Sequence, residues 1–130
     1  MPVRWKMSRL SPFLNGLSEM GPKSESSRRS LKNVILHEMA HMWFGNLVTM
    51  KWWDNLWLNE SFATYMAALA AAETTNDNQY WRDFDANTKR RTYISDQLKT
   101  THPIAANITD TEVANIYFDN ITYGKGGLVS

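Results

Sequence analysis

The chain has 130 residues, 43% of them hydrophobic and 21% charged, with fourteen basic side chains against thirteen acidic ones. That length supports one modest core and not two, the composition excludes a disordered chain, and a formal charge of +1 gives no electrostatic case for nucleic acid or an anionic membrane. With no cysteine there is neither a disulfide framework nor a thiolate metal site, so any metal must be held by His, Asp or Glu.

In chain order, residues 1–27 are expected to form an irregular arm, because Pro12, Gly16, Gly21 and Pro22 break any period. The arm starts with positive charge but lacks an apolar run long enough for a signal peptide. The small apolar run at 66–72 is too short to cross a bilayer, so a soluble, cytoplasmic chain without a transmembrane segment is the expectation. Ser26 or Ser27 is placed to cap a helix over about 28–44, whose Leu31, Val34, Ile35, Met39, Met42 and Trp43 recur at spacings of three and four. Gly45-Asn46 supplies a left-handed stop. Residues 47–57, "LVTMKWWDNLW", suit a short strand or an extended link. Four of the six tryptophans fall between Trp43 and Trp57, which predicts a dense aromatic core there.

Asp54 or Asn55 then opens a second helix to about residue 74, and Asn76 or Asp77 a third over about 79–99. Pro103 makes the stretch around it a loop. Asp110 caps a short helix to about residue 118, and "DNITYGKGG" is expected to be a Gly-rich turn with another helix starting as the sequence stops.

The chemistry concentrates in "NVILHEMAHMWFGN". His37 and His41 lie four residues apart, so on a helix they share one face, roughly 40° apart and one turn above the other. Both imidazoles can then offer a nitrogen to one ion at about 2.0–2.1 Å. Glu38, roughly 100° further round, reaches beside that ion, where a general base for an activated water belongs. A lone helical histidine is usually a surface or satisfied core residue. The spaced pattern His-Glu-x-x-His, however, arises by chance in roughly one chain of this length in several hundred.

A catalytic zinc takes three protein ligands and leaves one position open. His102, in a loop beside Pro103, is one candidate for the third. Glu60, nineteen residues after His41 in "WLNESFA", is the better one, since the link at 45–55 lets its helix fold back on the first. Glu60 could also be simply an acid favoured at a helix N-terminus. Asp54 and Asn59 are candidates to orient the imidazoles.

"HEMAH", eighteen further residues, then Glu60, together with "WFGNLVTMKWWDNLWLNESFATY", resemble the gluzincin zinc aminopeptidases of the aminopeptidase N and puromycin-sensitive aminopeptidase type. "HPIAANITDTEVANIYFDNITYGKGGLV" resembles the downstream block of the same family. The resemblance covers about residues 26–130. It implies a mainly α fold, the helical part of a thermolysin-like zincin catalytic core truncated at both ends, with 28–130 a partial catalytic domain. It implies one Zn2+ on His37, His41 and Glu60, Glu38 as general base, and Tyr123 as hydrogen-bond donor to the oxyanion. It also implies peptide substrates cleaved at the N-terminal bond.

The family's Gly-x-Met-Glu-Asn segment, whose glutamate grips the substrate's amino group, has no match here, and Glu19 does not sit in that pattern. The expectation is therefore a fragment of a larger enzyme lacking its flanking domains. A catalytically silent zinc-binding fragment is the alternative, and an endopeptidase or other hydrolase on the same core a third.

Overall fold

The computed structural model describes residues 24–128, which are mainly helical and contain no strand. The arm expected over 1–27 lies outside these residues for all but its last four. Those four are not irregular. Ser24 caps the first helix by accepting from the Ser27 amide at 3.2 Å, and α1 runs Glu25–Ala40, three residues ahead of the expected start. Ser24 sits one position before Glu25, whose carboxylate complements the positive end of the helix.

α1 ends at Ala40, with His41 as its C-cap, short of the expected Phe44. The chain then closes a compact turn in which the Gly45 amide donates to the Val48 carbonyl at 2.8 Å. Gly45 has φ 125°, a conformation that a Cβ would strain, and this is why glycine stands there. The β-branched and aromatic residues that follow do not make a strand. Their only pairing is an isolated Phe44–Val48 bridge, since no partner strand is at hand among the described residues. A 3-10 turn, Trp53–Asn55, leads into α2, Trp57–Thr75.

α2 is the buried axis of the fold. Ala63, Ala67, Ala68, Ala71 and Ala72 are all buried, and their small side chains let α1 lie close along it. Leu36 of α1 packs on Ala71, Ala72 and Tyr80. Asn76 ends α2 in the left-handed conformation, at φ 51°.

The expected third helix is divided into α3, Gln79–Asp83, a π-helical stretch, Phe84–Lys89, and α4, Arg90–Asp96. Two short helices follow, α5, Thr111–Ile116, capped by Asp110, and α6, Asn120–Gly124, capped by Asp119. α6 occupies the segment expected to be a Gly-rich turn, and a 3-10 turn, Gly126–Leu128, succeeds it.

The tryptophan-rich link does not form one aromatic core. Trp57 stacks with Phe62, Trp53 packs on Ala106, Ile108 and Ala114, and Trp43 and Trp52 are exposed. No described helix is long and apolar enough to cross a membrane.

Candidate metal centre

α1 and the first turn of α2 meet at three polar side chains. His37 Nε2 and His41 Nε2 are 3.1 Å apart, and Glu60 Oε2 lies 3.3 Å from the first and 3.2 Å from the second. His41 and Glu60 are almost wholly buried, while His37 opens one edge to solvent. Among the described residues this is the one group of three or more potential metal ligands within reach of a single ion.

The far side of each ring decides what the near side can do. His41 Nδ1 is 3.0 Å from the Phe44 carbonyl, which can only accept, so the ring's proton sits on Nδ1. Thr64 Oγ1 donates to the Glu60 carbonyl at 2.8 Å and therefore accepts from His37 Nδ1 at 3.3 Å. With both Nδ1 atoms donating, each ring in its neutral form would turn the Nε2 lone pair toward the same point. Two lone pairs and a carboxylate oxygen at such separations repel one another unless a cation lies between them. Glu60 Oε2 is buried with no hydrogen bond directed at it. The donor set, two imidazoles and one carboxylate with both rings oriented from behind, fits zinc.

Burial alone would raise the Glu60 pKa. Protonated, the His37 and His41 rings would donate to Glu60 and, with their charge, outweigh that burial, holding the group well below the usual carboxylate range. Glu60 is thus an anion facing the rings. Its place in the first turn of α2, where backbone amides point outward, favours the same charge state.

Glu38 is the next residue round α1 from His37 and is half-buried. Tyr123 on α6 stacks over the His37 ring, with centroids 5.9 Å apart and planes 24° from parallel. His102 stands elsewhere. Its Nε2 meets Asp119 at 2.9 Å and its Nδ1 the Pro103 carbonyl at 2.8 Å, so it is not the third member of the group.

Asp54 and Asn59 do not orient the imidazoles; the Phe44 carbonyl and Thr64 do. Thr64 was findable, since it lies one helical turn after Glu60 on the same face. A main-chain carbonyl leaves no trace in residue identity.

The arrangement agrees with what the chain is similar to. Residues 16–130 match the Peptidase family M1 domain. Aminopeptidase N of Streptomyces lividans is 54% identical over 98 residues, 74% of this chain and 11% of that protein. Leucyl aminopeptidase of Saccharolobus solfataricus is 48% identical over 96 residues, 74% and 12% of the two chains. Probable aminopeptidase 2 of Sulfurisphaera tokodaii is 46% identical over 106 residues, 82% and 14%.

The chain has the architecture of the helical part of a metallopeptidase-type catalytic domain. It belongs to peptidase family M1. It spans about an eighth of the length of these curated relatives.

Proposed function

We propose that this chain carries the zinc-binding and proton-transfer part of an aminopeptidase that hydrolyses the N-terminal bond of peptides. The observation that carries the proposal is the convergence of His37 Nε2, His41 Nε2 and Glu60 Oε2, with both Nδ1 protons already committed. These three residues would hold the ion. When bound, zinc supplies a Lewis acid for the scissile carbonyl and lowers the pKa of a water toward neutrality.

Glu38 stands beside the two ligands on their own helix. It takes the proton of the attacking water and returns it to the departing amine, so that one carboxylate serves as base and then as acid. The Tyr123 hydroxyl donates to the carbonyl oxygen as negative charge grows there. The names of the relatives support the exopeptidase class.

Native mass spectrometry or metal analysis should find about one zinc per chain. Glu38→Gln should retain it while lowering hydrolysis of aminoacyl anilides by about 10²–10⁴-fold. Loss of zinc in Glu38→Gln would make Glu38 a ligand and overturn its role. An N-acetylated substrate should be refused; its cleavage would favour an endopeptidase.

A second reading is that these 130 residues bind zinc without turning substrate over. Hydrolysis of anilides by the 130 residues would exclude it.

A further inference from the structure

α6 has five residues, too few to hold a helix by its own hydrogen bonds, yet it carries the tyrosine that stacks over His37. Its rigidity must come from its neighbours. Immediately after Glu60, the Ser61 side chain turns to the opposite partner. It is fully buried, its hydroxyl donates to the Thr122 carbonyl at 2.6 Å, and it accepts from the Gly126 amide at 3.1 Å. In an uninterrupted α-helix the carbonyl of residue 122 and the amide of residue 126 would pair with each other. Here a hydroxyl from another helix stands between them as a bridge.

The approach is close. A Cβ on Gly126 would lie 2.7 Å from Ser61 Cβ and Oγ, so the main chain rests directly on the serine. Across α6, Gly124 is seated on Thr92 of α4, whose hydroxyl bonds the Asn120 carbonyl at 3.0 Å. Tyr123 therefore projects from between two pinned neighbours, Thr122 and Gly124.

We infer that Ser61 is a positioning residue that fixes the Tyr123 ring relative to the metal ligands by bridging Thr122 and Gly126. The inference rests on the reading of Tyr123 as the oxyanion donor. Consecutive residues of α2 then set the two halves of the site: Glu60 faces the ion and Ser61 holds the tyrosine. Because both come from one helical turn, the spacing between metal and phenol is fixed by α2 itself.

The test is 19F NMR of the zinc-loaded chain with 3-fluorotyrosine at position 123, alongside amide exchange at Gly126. Ser61→Ala should shift or broaden the fluorine resonance and cut protection of the Gly126 amide by about tenfold or more. Zinc content should stay at the wild-type value, and Thr74→Ala, which removes a hydroxyl further along α2, should change neither readout. An unmoved resonance with unchanged Gly126 protection would overturn the inference, and so would loss of zinc in Ser61→Ala, which would place the effect at Glu60.

Should Ser61→Ala not fold, Ser61→Cys keeps the size and a weaker donor. A displaced resonance there supports the bridge, and the wild-type resonance refutes it. In turnover, Ser61→Ala should lower kcat by about tenfold at unchanged KM, as a misplaced donor does. It should add nothing in a Tyr123→Phe background, whereas additive losses would refute the coupling. An inactive wild-type chain would count against the aminopeptidase reading alone, because the fluorine and exchange readouts do not depend on catalysis.

Discussion

Thr64 Oγ1 gives its proton to the Glu60 carbonyl and takes one from His37, so a single hydroxyl sets the tautomer of one candidate ligand and ties it to the turn that carries another candidate. Thr64→Val keeps the shape and removes both bonds. Zinc affinity, read by competition with a chromogenic chelator, should fall about tenfold, the lower end for partners behind metal-bound histidines. His41 should respond to no such substitution, because its partner is the Phe44 main chain. At this scale the sequence is informative wherever geometry is local. His37, Glu38 and His41 are placed by helical periodicity alone. Glu60 needs the folding-back of α2, and the spacing of Tyr123 from His37 needs α6, which no period in "DNITYGKGG" announces. Only the family resemblance pointed to that tyrosine.

The helices differ in what holds them. α2 is held by burial of alanines, and Ala67, with no exposed surface, has no room to grow. Ala67→Leu should destabilise the chain by about 1–3 kcal/mol, measurable by urea denaturation. α5 is six residues long and depends on its cap. Asp110 accepts from the amides of Val113 and Glu112, with the Val113 bond the largest cause holding its carboxyl below the usual range; slight burial opposes this, and Thr109 adds to the lowering.

A carboxyl whose pKa is lowered on folding contributes stability that is complete above its ordinary value and is lost as pH falls through the lowered one. Protection of the Glu112 and Val113 amides, measured as exchange relative to the unfolded chain at the same pH, should therefore fall only as pH drops below the ordinary carboxyl value of 3.8. Asp110→Asn, which caps without charge, should lose that acid sensitivity.

The Asp110 cap was legible, whereas Asn76, expected with Asp77 as a cap opening the third helix, instead closes α2 in the left-handed conformation. Of the short strand or extended link expected at 47–57, the strand does not form, because β-branched and aromatic residues express a strand only beside a partner strand. The third helix was expected unbroken because sequence periodicity does not register a π-helical stretch, which here begins at Phe84, packed against Tyr65 and Trp81.

Over the whole molecule, apolar surface is unevenly covered. Ile35, Met39, Met42, Trp43, Leu47 and Val48 are 41–68% exposed, all on α1 or the turn that follows it. So many large apolar side chains near one another favour association in water. Sedimentation velocity should show an apparent mass that rises with concentration, and Met42→Lys with Trp43→Lys should suppress the rise. An unchanged profile in that double variant would place the association elsewhere.

Gly45 has no side chain to offer a metal, yet its backbone angle aims the peptide group whose oxygen, on Phe44, holds the His41 proton. No exchange of the Phe44 side chain deletes that oxygen, although the ring itself is held by stacking on Phe62. A branched residue at position 45 would rotate the carbonyl away and release the imidazole to its other tautomer. The most fragile genetic lesion of the centre, outside the ligands themselves, is thus predicted at a residue that touches nothing in it.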